Sequence, residues 1–230
     1  MVRDVVVLAS GRGSNFAALL DAQRRGELPI RLRALLSDRP AADALARARK
    51  AGIDAVALSP ADFPDRATFD RALFARAAAY TPDLIVLAGY MRVIDTGVVN
   101  QWHGRMINIH PSLLPKYPGL HTHARALEAG DRVHGASVHF VTAQLDGGPV
   151  IAQVEMPILS DDSPATLAAR LLPLEHRLLV ASVDLIARGR IALGRDGVEF
   201  EGVPLATPLR LQIDGSLRTA CGRPTFPRGS

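Results

Sequence analysis

Cysteine is almost absent from this chain: its 230 residues contain one, Cys221. A lone thiol can close no internal disulfide and build no cysteine metal cluster, so the fold must rest on an apolar core, and the setting reads as the reducing cytosol. Lysine is nearly missing too, with two residues against 25 arginines, and aromatics make up only 5%. The formal charge of +4 is spread over arginines such as Arg24, Arg47, Arg71, Arg125 and Arg188, with acids between them. Nucleic acid is therefore not the expected partner, because no basic block with interleaved aromatics exists; a small anionic ligand fits better. No stretch approaches the roughly 20 apolar residues of a membrane span, and Met1-Val-Arg-Asp-Val lacks the charged leader and apolar run of a targeting segment. The expectation is a soluble, cytoplasmic protein without a membrane partner. Apolar residues, by contrast, are plentiful at 48%, enough for a substantial core.

The β-branched run Val5–Ala9 ends in Ser10-Gly-Arg-Gly-Ser-Asn15, and Phe16, Leu19 and Leu20 follow at helical spacing. This strand, glycine turn and helix open an alternating series. Strands are predicted at 32–36, 55–58 and 84–88, with helices at 41–51 and 67–80 between them. A short helix around Val98, a strand at 106–110 and a helix at 121–129 come next. Strands at 136–141 and 150–154 flank Asp146-Gly-Gly, as a hairpin or as neighbours. A long helix is predicted from Ser163 as N-cap, through Pro164 at its first position, to Ala187, kinked at Pro173. The fold class is α/β: a doubly wound, mostly parallel sheet with helices on both faces. One domain is expected to residue 189, followed over 190–230 by a short hairpin and an irregular tail.

In open sheets of this kind, ligands sit outside the carboxyl ends of the strands. Four segments follow or close predicted strands there: Gly11–Asn15, Gly89–Ile94, Asn108–His110 and Thr142–Asp146. In the first, a tight glycine turn at a helix start offers backbone N–H groups to an anion. A dinucleotide fingerprint needs a third glycine where the chain has Phe16, and a Walker loop needs Gly-Lys, so a single terminal phosphate suits this turn better. Asn108 and His110, two apart on a strand, share a face. An imidazole can carry a proton near neutral pH, the Asp146 carboxylate is a candidate to stabilise its charged form, and the Asn108 amide can donate to a developing oxyanion. No motif positions a serine or cysteine nucleophile, so direct attack by a substrate amine fits better than a covalent acyl-enzyme. His121, His123 and His139 do not group with an acidic ligand, and no metal is expected. Glu175, mid-helix beside His176, reads on its own as a solvated charge.

Taken together, Ser10–Asn15, Val86–Arg92, Asn108–His123, Ser137–Thr142 and Leu145–Ile151 resemble, in order, the signatures of the phosphoribosylglycinamide formyltransferases, folate-dependent enzymes of purine synthesis. The resemblance runs from Val5 to about Ala187 and implies a formyltransferase domain over 1–189. It implies transfer of a formyl group from the co-substrate 10-formyltetrahydrofolate to the amine of glycinamide ribonucleotide, both small molecules, by a monomer or homodimer. Carried over by motif, Gly13, Ser14 and Asn15 hold the phosphate, and Asn108, His110 and Asp146 form the catalytic group. Arg66, Met91, Arg92, Val93, Ile94 and Thr142, with Asn108 and Asp146, line the folate site, while Glu175 contacts the amine side of the substrate. Arg12 occupies the variable position of the phosphate loop.

Other readings compete. A tRNA formyltransferase carries a further C-terminal domain, for which the 41 residues after Gly189 are too few. A formyltetrahydrofolate deformylase adds a domain before the first strand. A nucleotide-binding oxidoreductase would use the first loop and Asp38, yet leaves His110 and Asp146 idle.

Overall fold

The computed structural model describes residues 2–219; Cys221 lies outside them. The described chain falls into two compact units: residues up to Asn108 with Phe140–Gly148, and Ile109–His139 with the chain from Pro149 onward.

The first unit alternates strand and helix as its hydrophobic periods dictate. Its elements are β1 (Arg3–Leu8), α1 (Ser14–Arg24), β2 (Ile30–Ser37), α2 (Asp43–Lys50), β3 (Asp54–Ala57), α3 (Arg66–Ala78), β4 (Leu84–Leu87), α4 (Thr96–Gln101) and the start of β5 (Met106–His110). All its strand pairs are parallel: β1 lies between β2 and β4, β3 beyond β2, and β5 beyond β4. The chain thus builds outward on one side of β1 and then returns to build on the other. The strand order reverses between β1 and β4, the place at which open sheets of this kind take their ligands.

Because alternate strand residues point to opposite faces, both faces need covering, and the strands read as nearly unbroken apolar runs. Val6, Leu8, Ala34, Leu36, Ile85 and Leu87 pack with Phe69, Leu73, Phe74 and Ala77 of α3 and with Val98 and Trp102 beside them. Helices α1 and α2 lie against β2, burying Phe16, Leu19, Ala44 and Leu45.

In the second unit β6 (Val133–Phe140) and β7 (Val150–Pro157) pair antiparallel, which resolves the two strands around Asp146-Gly-Gly as a hairpin. Helix α5 (Thr122–Glu128) packs on α6 (Pro164–Ala187), and α6 on β7. A capping box between Ser163 and Thr166 starts α6, and the helix runs on past Pro173 to Ala187. After it come β8 (Ile191–Gly194), β9 (Gly197–Phe200) and β10 (Val203–Pro204), a small antiparallel sheet.

Where glycine and proline punctuation suggests an irregular tail, the chain forms β11 (Leu209–Leu211) and β12 (Leu217–Arg218). Strand β11 adds in parallel to β7, and β12 folds back antiparallel on β11. Leu209 and Leu217 are buried, and Arg177 of α6 donates to the Gln212 and Ile213 carbonyls of the turn between them. A three-residue strand has too short a pattern for periodicity to reveal; burial of its leucines and the edge of β7 give it a place.

Candidate active site

The first unit carries most of the residues singled out from sequence, at the carboxyl ends of its strands. The β1–α1 turn is a close-packed one. Gly13, the N-cap of α1, has φ 72°, and a Cβ there would come within 2.7 Å of the Ala44 Cβ. Glycine is required twice over, by the left-handed backbone and by the approach of α2. The Ala44 N–H donates to the Gly11 carbonyl and Arg47 Nε to the Arg12 carbonyl, so the turn is tied to α2 on one side. Gly13 as N-cap has no side chain to cap α1, and the first turn lies at the positive end of the helix dipole. This is an anion site in form. The Arg12 side chain is exposed.

Sequence reasoning named Ser10 and Asp38 separately but did not join them, and together they organise this edge. The buried Ser10 hydroxyl donates to Asp38 Oδ1 at 2.5 Å and accepts the Met91 N–H at 3.0 Å, while the Ser10 N–H bonds the Gly89 carbonyl. One side chain therefore joins the loops after β1, β2 and β4. Their position at strand ends was the available signal.

Beyond β4, Gly89–Asp95 presents Met91 and Val93 to solvent and buries Tyr90 and Ile94. Arg92 is half-buried, its guanidinium 5.1 Å above the Phe69 ring. Beneath it lies Asp70 of α3, fully buried, whose Oδ2 accepts the Asp95 N–H at 2.7 Å. Burial raises the Asp70 pKa, against the backbone bond from Asp95 and the charges of Arg92 and Arg66. Arg66 itself, the first residue of α3, is exposed. Burial likewise pushes the Tyr90 phenol up, and the neighbouring Asp38 and Asp70 add to this.

Asn108 and Asp146 meet within this unit: the Asn108 amide donates to Asp146 Oδ1 at 3.4 Å, a long bond. Asp146 stands at φ 48°, and the chain around it is held by small residues. A Cβ at Gly148 would collide with the Phe140 carbonyl oxygen, and one at Gly147 would meet the Gln144 side chain at 2.5 Å. Thr142 Oγ1 donates to the Gln144 carbonyl. Leu145 is half exposed.

His110 and Glu175 belong to the second unit. Strand β5 carries His110 into it, and alternation along that strand keeps positions 108 and 110 on one face. The buried His110 ring places Nε2 2.9 Å from the Tyr117 carbonyl oxygen. A carbonyl only accepts, so Nε2 carries the proton, and a second proton on this ring goes to Nδ1. The turn that supplies the carbonyl is self-bonded: Ser112 Oγ donates to the Lys116 carbonyl at 2.6 Å, Arg125 to the Pro118 carbonyl, and Lys116 and Tyr117 Oη both to Asp131.

Close by, the His123 and His134 rings stand edge to face at 5.0 Å. Burial pushes His134 down to about 4, and burial together with the charge of His110 lowers His123. His134 is therefore neutral at ordinary pH. Among the described residues no group of three or more histidine, cysteine, aspartate or glutamate side chains is placed to hold a metal ion. Glu175 departs from its reading as a solvated charge: it is only 9% exposed, on the inner side of α6 with Leu171, Leu178 and Leu179. Buried acids are kept for a partner or a ligand, which mid-helix sequence context alone does not reveal.

Fold and site define an α/β protein of the doubly wound class. It has a glycine turn at the start of its first helix and an amide and carboxylate paired at the carboxyl edge of its sheet. The chain belongs to the formyl transferase family, which residues 3–183 match. It is 44% identical over 199 residues to the phosphoribosylglycinamide formyltransferase of Escherichia coli (strain K12), covering 86% of this chain and 94% of that protein. It is also 43% identical over 187 residues to the trifunctional purine biosynthetic protein adenosine-3 of Drosophila melanogaster, 80% of this chain but only 14% of that one. The phosphoribosylglycinamide formyltransferase structure from Coxiella burnetii superposes with a TM-score of 0.86 at 44% identity, over 90% of this chain and 97% of that one. The expected doubly wound sheet is thus borne out in kind. Among the described residues no helix is long and apolar enough to cross a membrane.

Proposed function

We infer that this chain is a phosphoribosylglycinamide formyltransferase, moving a formyl group from 10-formyltetrahydrofolate to the amine of glycinamide ribonucleotide in purine synthesis. The observation that carries this is the 44% identity over nearly the whole length of the Escherichia coli enzyme of that name. The site chemistry is compatible with it. Residues 1–189 act as the formyltransferase domain, in the cytoplasm, as a monomer or homodimer.

The α1 turn, through Gly13, Ser14 and Asn15, takes the ribonucleotide phosphate. Arg66, Met91, Arg92, Val93, Ile94 and Thr142 take the folate: two cations suit its carboxylates, and exposed Met91 and Val93 suit its ring. Glu175 orients the substrate amine. In the reaction the amine nitrogen bonds the formyl carbon, and the oxygen of that carbon becomes an oxyanion stabilised by the Asn108 amide and protonated His110. The bond from carbon to the folate nitrogen then breaks, one proton leaving the amine and one reaching that nitrogen. Asp146 favours the charged imidazole and, by holding the Asn108 amide, aims its donor. Charge stabilisation and proton transfer of this kind call for no metal.

The test is formyl transfer from 10-formyltetrahydrofolate to glycinamide ribonucleotide, with water, tRNA and nicotinamide cofactor as alternative partners. Formylated ribonucleotide is the expected product. Formate release that does not depend on the ribonucleotide would refute the reading in favour of a hydrolase.

A further inference from the structure

Behind the turn that receives His110 lies a closed polar cluster in an apolar setting. Ser137 of β6 is fully buried, Ser112 likewise, and Gln153 of β7 is 5% exposed. The Ser137 hydroxyl donates to the Ser112 carbonyl at 2.7 Å and accepts from the Leu114 N–H at 3.1 Å and from Gln153 Nε2 at 2.9 Å. Gln153 Nε2 spends its second proton on the Leu114 carbonyl at 2.9 Å. The orientation of the Gln153 amide is settled by that carbonyl, which only accepts, so the nitrogen must face it. Both the N–H and the C=O of Leu114 are thus held by side chains from two paired strands, at the register Ser137↔Gln153.

A buried polar cluster is costly unless every member is satisfied, and an apolar pair would fill the same space at less risk. Here the hydroxyl and the amide nitrogen are fully used, and all of their bonds go to residues 112 and 114 or to one another. What they hold is the start of the turn that ends at Tyr117. Ser112 then passes the constraint on, since its own hydroxyl bonds the Lys116 carbonyl, one residue before the carbonyl that accepts from His110 Nε2. The chain of contacts runs Gln153, Ser137, Ser112, Lys116, Tyr117, His110. We propose that Ser137 and Gln153 are positioning residues for His110, fixing through this turn which ring nitrogen carries the proton and where the ring points. The proposal rests on the reading of His110 as the acid of formyl transfer.

Ser137→Ala removes the shared hydroxyl, Gln153→Met keeps the volume without the donors, and Ser137→Thr restores a hydroxyl. Each is studied as the full chain, with steady-state kinetics for both substrates and the tautomer of His110 read from imidazole 15N resonances. The native protein should show the Nε2–H form. Ser137→Ala and Gln153→Met should populate both tautomers and lose on the order of 10- to 100-fold in kcat, with both KM values little changed, and Ser137→Thr should recover the native tautomer and most of kcat. An unchanged tautomer in both loss variants overturns the proposal, whatever kcat does, because the effect would then be general packing. A mixed tautomer with native kcat overturns it equally. If Ser137→Ala fails to fold, Gln153→Met decides alone. His110→Ala is run beside them: full turnover in that variant would refute the catalytic reading, whereas the tautomer measurement reports on the contact chain independently.

Discussion

The hydroxyl of Ser10 and the carboxylate of Asp38 stand 2.5 Å apart, at the ends of two adjacent strands and 28 residues apart in sequence. The same hydroxyl accepts the N–H of Met91, so the β1–α1 turn and the loop after β4 are braced by one atom. Ser10→Ala leaves the Met91 N–H and the buried Asp38 carboxylate without this partner, at a cost of about 1–3 kcal/mol. We expect faster amide exchange at Met91 and a several-fold rise in KM for folate. Native exchange at Met91 would show that the brace carries no load.

Gly13→Ala should be the more damaging change in the anion turn. It places a side chain at φ 72° and 2.7 Å from the Ala44 Cβ, for about 2–4 kcal/mol of combined backbone strain and overpacking. Urea unfolding measures that loss. The KM for the ribonucleotide should rise more than the KM for folate, since the displaced turn is the one assigned to phosphate.

Asn108→Ala and His110→Ala each remove a donor proposed to face the developing oxyanion, and turnover should drop by a factor on the order of 10² or more. Folate binding, followed by fluorescence titration, should stay nearly intact. Asp146→Asn keeps an acceptor for the Asn108 amide but removes the charge. It should therefore cost turnover while leaving stability close to native. Any of the three retaining most of its turnover would count against the catalytic assignment.

His134 gives a pH prediction. Its ring is held neutral by burial, with a pKa of about 4 in the folded protein, below the ordinary 6.5. Between these values the unfolded chain binds the additional proton, so stability is highest above pH 6.5, falls as pH drops through 6.5 towards 4, and levels off below. The span is on the order of 3 kcal/mol for this one group. Thermal unfolding between pH 8 and 4 should show the loss, and His134→Phe should flatten it. An equally steep fall in the variant would assign the effect to other groups.

Much of this architecture was legible beforehand because its cause is local. Strand Met106–His110 and helix Pro164–Ala187 follow from period and capping, whereas the turn around Asp146 left β6 and β7 open between a hairpin and neighbours until their pairing was seen. The motif residues were likewise visible, since glycine turns and paired polar residues at strand ends carry their chemistry in their spacing. Less legible was β11, whose place depends on an open edge of β7 far back in the chain. The burial of Glu175 was hidden too, because one acid among leucines on a helix has no period of its own.

Amino-acid order by itself determined which segments become strands and helices, which turn needs glycine, and that Asn108 and His110 share a face, all consequences of backbone sterics and short-range periodicity. Only tertiary structure decided that Ser10 joins Asp38 and Met91, that Asn108 reaches Asp146 across 38 residues, and that Gln153 and Ser137 hold Leu114. Those bonds need donor and acceptor within about 3 Å, a condition set by how strands stack and not by any spacing along the chain.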